Sequence, residues 1–168
     1  MRLLTVNTGS SSVRLAFYAS DGGVLRLLAE RRYSGESQPE NTLHDFIGSG
    51  QVDGVAHRVV HGGVRLAASC VIDAAVEAEI ERLAVLAPLH NPRALTWVRA
   101  CRALLGKGLT QIAVFDTGFY AALPGVACSY ALPQQLVQRL GLRRVCAGNR
   151  QRRLQPAPRL HVKAFLAQ

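Results

Sequence analysis

The sequence predicts an α/β layered domain in which a β-meander is followed by alternating helices and strands. Two turns rich in Ser and Gly divide the beginning of the chain into apolar segments at about 2–7, 13–19 and 24–33, a pattern typical of three successive antiparallel strands. Beyond residue 50, short apolar segments alternate with segments of helical periodicity. Because 49% of the 168 residues are hydrophobic, the chain can bury one sizeable core.

The elements predicted after the meander are one loop, two strands and three helices. In chain order they are a polar loop at 35–41, a strand at 52–60, helices at 73–86 and 92–105, a strand at 111–115 and a short helix at 134–140. The second helix has the clearest start, because Asn91 is a favourable N-cap and Pro92 then occupies the first helical position. Gly106 and Gly108 end that helix.

The positive charge of the chain is concentrated at one end. The formal net charge is +9, yet 8 of the 20 basic residues lie in 139–168, where there is no acidic residue. Residues 1–138 therefore carry 12 basic and 11 acidic side chains. No known nucleic-acid-binding module is visible, so we do not expect a nucleic-acid partner.

The cysteines and the apolar segments bear on the cellular compartment. Cys70, Cys101, Cys128 and Cys146 are far apart and form no CxxC pair, which argues against a zinc site and against a small disulfide framework. The sequence contains no signal-peptide pattern and no apolar run that would span a bilayer. We therefore expect a cytoplasmic protein without a membrane partner.

The most informative segment is the first turn, residues 6–14, which reads VNTGSSSVR. Gly9 allows the backbone to approach an anion closely, and neighbouring N–H groups can point into one concavity. The serine hydroxyls and the cation Arg14 add directional donors. The segment therefore predicts a phosphate-binding turn, while a serine-rich hairpin without a ligand is the alternative.

Three further segments place polar side chains at strand or helix ends: AHRVVHGG at 56–63, LAPLHNP at 86–92 and VFDTGF at 114–119. Taken singly, Arg58 is compatible with a solvated edge position, His90 with a helix cap and Asp116 with an Asx-turn. Taken together they favour a ligand site, because α/β folds bind ligands at the carboxyl ends of their strands.

In this order the four segments resemble the acetate kinase family, which belongs to the sugar kinase, heat-shock chaperone and actin-like superfamily. The resemblance covers about residues 1–144. It implies a ribonuclease-H-like fold, the first half of a two-domain actin-like kinase. It also implies transfer of the γ-phosphoryl group of ATP, with Mg²⁺, to a short-chain carboxylate such as acetate. Full-length members of the family are homodimeric.

The resemblance also implies a substrate site. Arg58 would pair with the substrate carboxylate and then with the developing phosphoryl charge, since a planar guanidinium suits both. Val60 and Leu89 would line a small apolar pocket for the acyl methyl group. His90 would support the substrate site.

Catalytic, metal and nucleotide roles follow from the same resemblance. Asp116 would be the catalytic carboxylate, which organises the metal or handles a proton, and Asn7 would be a metal-associated ligand. Ser10, Ser12 and Arg14 would bind the nucleotide phosphates.

The sequence departs from the family after Arg144. A Gly-Phe-His-Gly-Thr-Ser-His motif, whose histidine stabilises the transferring phosphoryl group, is expected there, but residues 145–153 read VCAGNRQRR. We therefore predict an acetate-kinase-like domain at 1–144 and a disordered basic tail at 145–168. The tail is explained by a frameshift or truncation, or alternatively by a genuine basic extension that docks on an acidic surface.

Two classes of function are compatible with these residues. The first is an acyl-phosphate-forming kinase, inactive on its own, which acts on acetate or, in a related form, on propionate or butyrate, because pocket volume decides among these acids. The second is a non-catalytic fragment that binds phosphate or carboxylate weakly.

Overall fold

The computed structural model describes residues 1–35, 38–120 and 132–140, and in this part of the chain six strands form one sheet. The strands are β1 Arg2–Thr8, β2 Ser12–Asp21, β3 Val24–Ser34, β4 Gly54–Val59, β5 Cys70–Val71 and β6 Gln111–Phe115. Their order across the sheet is β3-β2-β1-β4-β6-β5. The antiparallel meander β1–β3 forms one side, and β4 and β6 extend it in parallel with β1.

Four helices accompany the sheet in the described segments. They are α1 Pro39–Ile47, α2 Ala74–Arg82, α3 Asn91–Leu105 and α4 Gln134–Leu140, and the 3-10 turns Leu83–Val85 and Asp116–Tyr120 follow α2 and β6. Helix α3 is the central one, because it packs against α1, α2 and β4.

The main core lies between one face of the sheet and these helices. Alternate residues of β1 and β2, among them Leu4 and Phe17, meet Leu43 of α1 and Trp97 of α3, and all four are at most 1% exposed. A second apolar cluster joins α2 and α3 to the ends of β4 and β6. Burial on this scale fixes α3 over the sheet, so the start of α3 is held near the carboxyl ends of β1, β4 and β6.

Strand register aligns three polar residues across the sheet. Asn7 of β1 is opposite Arg14 of β2 and also opposite Arg58 of β4. Paired residues on neighbouring strands share a face of the sheet, since side chains alternate along each strand. Three side chains from separate sequence motifs therefore form one row at the end of the sheet.

The structure confirms the predicted α/β class, the β-meander, strand 111–115 and helix 134–140. The predicted polar loop at 35–41 is wrong in its second half, because α1 begins at Pro39. The first turn of α1, Pro-Glu-Asn-Thr, is polar. The apolar residues that pack this helix against the core, Leu43 and Ile47, come later in it. A polar first turn is typical of a loop, so the sequence predicts no helix there.

Two smaller differences concern the segment between β4 and α3. The predicted helix 73–86 ends as an α-helix at Arg82 and continues as a 3-10 turn through Val85. The short strand β5 was not predicted, because two residues are too few to show an alternating pattern.

Several predictions fall outside the described residues. These include the basic tail at 145–168 and the cysteines Cys128 and Cys146. Cys70 and Cys101 are free thiols. Within the described ranges, no helix combines the length and the apolar content needed to cross a bilayer.

Candidate functional site

Arg58 is the centre of a polar cluster at the carboxyl end of the sheet. Its Nε donates to Oδ1 and Oδ2 of Asp116 at 2.9 and 3.1 Å, and its Nη2 donates to Oδ2 at 2.5 Å. Its Nη1 donates to Oδ1 of Asn7 at 3.2 Å and to the carbonyl of Thr8 at 3.4 Å. The side chains of Arg58 and Asp116 are 25% and 14% exposed, so the pair is shielded from solvent without being sealed from it.

Three strands deliver this cluster because parallel strands end at the same edge of the sheet. Asn7 is near the end of β1, Arg58 is near the end of β4, and Asp116 directly follows β6. Asp116 occupies the Nε–Nη2 edge of the guanidinium and holds it in one plane. The contacts of Nη1 to Asn7 and Thr8 are longer than those to Asp116, so they are the weaker hydrogen bonds of this guanidinium.

The β1–β2 turn, Gly9 to Ser12, lies beside this cluster, and each of its four backbone carbonyls accepts a hydrogen bond. Those of Gly9 and Ser10 accept from Nη1 of Arg93 at 3.1 and 2.8 Å. That of Ser11 accepts from the Gly35 N–H, and that of Ser12 accepts from the Gly9 N–H. Within the described residues, by contrast, the N–H groups of Ser10 and Ser11 have no protein acceptor.

The predicted phosphate-binding side chains differ in how they are engaged. Ser10 is exposed, whereas the hydroxyl oxygen of Ser12 accepts from Nε of Arg32 at 3.2 Å. Arg14 lies 3.8 Å from the carboxylate of Glu30, and about two fifths of each of these two side chains is exposed. Since the Ser12 hydroxyl hydrogen remains free to donate, both serines can still bind an anion.

His90 lies directly before α3 and feels the charges of the cluster. Burial lowers its pKa most, the positive charges of Arg58 and Arg93 lower it further, and Asp116 opposes them. The ring is therefore neutral at pH 7, so it can accept or donate a hydrogen bond without repelling a bound cation.

The two apolar residues predicted for the acyl pocket are less enclosed. Val60 is half-buried at the end of β4, and Leu89 is 70% exposed. Leu89 therefore does not close a wall around a methyl group in this structure. The roles of both residues stay predictions.

A buried hydrogen-bond network locks the end of β4 to the start of α3. Oδ1 of Asn91 accepts from the His61 N–H at 3.2 Å, and its Nδ2 donates to the carbonyls of His61 and Ile80 at 3.0 and 3.3 Å. The Gly62 N–H donates to the hydroxyl of Thr117, which follows Asp116. This network therefore sets the spacing between Arg58, His90 and Asp116.

Asn7 and Asp116 are the oxygen donors closest to what a Mg²⁺ site requires. Mg²⁺ is commonly held by one or two carboxylates together with waters and substrate phosphates, and amide oxygens are also suitable hard ligands. Both side chains already accept hydrogen bonds from Arg58, so their role as Mg²⁺ ligands stays a prediction. No group of three or more His, Cys, Asp and Glu side chains that could hold a metal by itself exists among the described residues.

His57 belongs to the same motif as Arg58 but points into the core. It is 1% exposed, its Nε2 lies 2.7 Å from Oε1 of Gln111, and its Nδ1 has no hydrogen-bond partner. Burial lowers its pKa to about 4, an effect that the hydrogen bond to Gln111 opposes and the charge of Arg102 reinforces. His57 is therefore a neutral core residue at pH 7.

We expect acid to destabilise the fold through His57. Between about pH 6.5 and pH 4 the unfolded chain binds a proton at this ring that the folded chain does not. The free energy of unfolding therefore decreases as the pH is lowered through that window, by about 3 kcal/mol. Urea unfolding at a series of pH values would measure the slope.

The matched variants are His57→Gln and His44→Gln, because His44 is exposed. His57→Gln should flatten the slope, although His61 and His90, whose pKa values are also lowered by burial, keep part of it. The effect of His57→Gln on the slope should exceed that of His44→Gln. Equal slopes in wild type and His57→Gln would contradict this assignment.

Comparison with known proteins assigns this arrangement to a family. A model of the acetokinase family matches residues 40–149. The chain belongs to the acetokinase family. This acetokinase-family chain is 35% identical over 177 residues to the acetate kinase of Halothermothrix orenii, an alignment that covers 86% of the chain and 44% of the relative. It is 50% identical over 94 residues to the acetate kinase of Shewanella loihica, covering 56% of the chain and 23% of the relative.

Solved structures agree with this assignment. The acetokinase-family chain superposes on the propionate kinase of Francisella tularensis with a TM-score of 0.71 and 28% identity, over 87% of the chain and 44% of that structure. For the acetate kinase of Porphyromonas gingivalis the TM-score is 0.67 and the identity 29%, over 86% of the chain and 44% of that structure. The chain thus spans less than half the length of these relatives.

One residue of the site escaped the sequence analysis of this acetokinase-family chain. Arg93 ties the serine turn to α3, and its Nη2 also donates to the carbonyl of Gly35 at 3.3 Å. A signal for it exists in the sequence, because a cation in the first turn of a helix is electrostatically unfavourable and needs another reason to be there. Only the fold shows which carbonyls it reaches.

Proposed function

We propose that this chain binds a short-chain carboxylate and the phosphates of ATP, and that it contributes this half-site to an acetate kinase reaction. The observation that carries the proposal is the guanidinium of Arg58. Asp116 and Asn7 hold it at the carboxyl edge of the sheet, beside the serine turn and His90. A substrate carboxylate would replace the longer contacts of Nη1 to Asn7 and Thr8, while Asp116 keeps the guanidinium in place.

In the proposed reaction an acetate oxygen attacks the γ-phosphorus of ATP, a new P–O bond forms, and the bond to the bridging β-phosphate oxygen breaks. The products are acetyl phosphate and ADP, which keeps the bridging oxygen. Such a transfer depends on in-line positioning and on positive charge near the equatorial oxygens. Arg58 would orient the acetate and then stabilise that charge.

The other residues have supporting roles in this proposal. Ser10, Ser12 and Arg14 would bind phosphate oxygens, and the unpaired N–H groups of Ser10 and Ser11 would add two donors. Asn7 and Asp116 would hold Mg²⁺, which supplies charge neutralisation at the phosphates. Asp116 would also keep Arg58 in place, a positioning role that the hydrogen bonds to Arg58 support.

Propionate is a second candidate acceptor. The exposed side chain of Leu89 leaves the acyl side of the site open, so an additional methylene group has room. The structural similarity to a propionate kinase supports this candidate as well. Comparing acetate with propionate in the same titration would separate the two.

We expect binding without rapid turnover from this chain alone. Residues 145–153 contain no histidine in place of the one that the family uses to stabilise the transferring phosphoryl group. Removing one charge-stabilising donor from such a site typically costs about 10²–10³ in rate. Trapping of acetyl phosphate with hydroxylamine would measure the remaining turnover.

The test of the proposal is a titration of the purified chain with ¹³C-labelled acetate, followed by NMR, in the presence of Mg²⁺ and ADP. Arg58→Ala should weaken acetate binding by about 30-fold or more, since removing one partner of a shielded charge pair costs at least about 2 kcal/mol. Arg99→Ala is the matched control, because Arg99 pairs with Glu77 and Glu81 of α2.

Equal acetate affinities for Arg58→Ala and Arg99→Ala would contradict the proposal. Turnover that Arg58→Ala abolishes would support the assigned site and would show that the missing histidine is not required.

A further inference from the structure

In the turn from Gly9 to Ser12, the carbonyls and the amides differ in their hydrogen bonding. All four carbonyls accept hydrogen bonds from the protein, two of them from the same nitrogen of Arg93. Within the described part of the chain, the amides of Ser10 and Ser11 donate to none. A turn whose carbonyls are hydrogen-bonded and whose amides have no acceptor can bind an anion through those amides.

Peptide geometry connects these two facts. In a trans peptide unit the carbonyl and the following N–H point in opposite directions. When Arg93 binds the carbonyl of Gly9, it therefore directs the N–H of Ser10 away from α3. Its bond to the carbonyl of Ser10 does the same for the N–H of Ser11. One guanidinium thus orients both unpaired donors of the turn.

Arg93 itself is anchored from a third side. Its Nη2 donates to the carbonyl of Gly35, at the end of β3, so the guanidinium joins α3 to two neighbouring segments of the meander. Its place in the first turn of α3 opposes the helix dipole, so helix stability does not account for it. The backbone carbonyls of the turn do account for it.

We propose that Arg93 is a positioning residue, which presents the N–H groups of Ser10 and Ser11 to a phosphate oxygen. The inference rests on the proposed function of this turn as a phosphate site. Arg93 would act through the backbone of the turn, because Nη1 and Nη2 donate to the three carbonyls.

The first part of the test needs no ligand. In ¹⁵N relaxation measurements on the full chain, Arg93→Ala should increase the backbone motion of Ser10 and Ser11, while Arg99→Ala, in the same helix, should not. Unchanged order of the turn in Arg93→Ala would overturn the proposal. This measurement is independent of acetate binding and of turnover.

The second part uses inorganic phosphate and pyrophosphate as probes, with the amide shifts of Ser10 and Ser11 as the readout. Arg93→Ala should weaken binding by about tenfold, because two backbone donors lose their orientation. Arg93→Lys should recover most of this loss, since an ammonium group can still donate to the carbonyls of Gly9 and Ser10. A merely structural role for Arg93 would leave the Arg93→Lys and Arg93→Ala affinities equal.

Ionic strength separates positioning from simple attraction by charge. A loss in Arg93→Ala that persists at high salt supports positioning, whereas a loss that disappears there reflects the charge alone and would overturn the proposal. If Arg93 orders the turn but the wild-type chain binds neither probe, the proposed phosphate site fails while the positioning of the turn stands.

Discussion

Replacing Asn91 with alanine is expected to lower the free energy of unfolding by about 3–5 kcal/mol. Asn91 is fully buried, and its amide is the partner of one N–H and two carbonyls at the junction of β4, α2 and α3. Alanine leaves all three of these backbone groups without that partner, and each unpaired buried group carries its own desolvation penalty. Urea unfolding at pH 7 would measure the loss.

Two further variants sharpen this prediction. Asn41→Ala is the matched control, since Asn41 is exposed on α1, where alanine is the better helix former, and its stability should change little. Asn91→Asp keeps an acceptor for the His61 N–H but places a carboxylate oxygen next to two carbonyl oxygens. It should therefore lower the free energy of unfolding at least as much as Asn91→Ala. A loss in Asn91→Ala no larger than in Asn41→Ala would contradict the network described here.

The second large effect is expected at Gly62, where alanine should cost about 3 kcal/mol or more. A Cβ atom at this position would overlap the carbonyl oxygen of Leu66 and would lie 2.8 Å from Cδ1 of Phe115. The Leu66 N–H is itself bonded to the carbonyl of Gly62, which ties the two backbones together. The segment must therefore shift as a unit.

This shift should also reach the site. The Gly62 N–H donates to Thr117, the residue after Asp116, so movement at Gly62 alters the spacing of β4 and β6 where Arg58 and Asp116 meet. We expect Gly62→Ala to lose acetate affinity together with stability. Gly108→Ala is the control, because a Cβ there meets no atom within 4 Å. Unfolding midpoints that agree between the two variants would refute the prediction.

Much of the site could be predicted from short segments of sequence. The strand-end positions of Arg58 and Asp116 predict a shared ligand site, because α/β folds bind ligands there, and the resemblance to the family adds Asn7; the structure brings the three side chains together. The partners of these residues could not be predicted in the same way. That Asp116 takes the Nε–Nη2 edge of Arg58 depends on the register of β4 against β6, which no local pattern specifies.

Arg93 and α1 are two further features whose contacts the sequence does not predict. Arg93 reaches residues more than fifty positions away in the chain, and nothing adjacent to it in sequence indicates those carbonyls. Helix α1 begins with a polar turn, and its apolar residues become a helical face only when α3 and the sheet are present to cover them. In both cases the deciding contacts are long-range.

The sequence alone determined the β-meander, helix α3 and strand β6, because these depend on alternation and turn residues, and its four motifs carried the resemblance to the family. Tertiary structure alone decided which acceptors hold Arg58, that His57 is a core residue beside a site arginine, and that Arg93 contacts the serine turn. The physical reason is that hydrogen-bond direction and burial are properties of neighbours in space, and here those neighbours come from β1, β4, β6 and the start of α3.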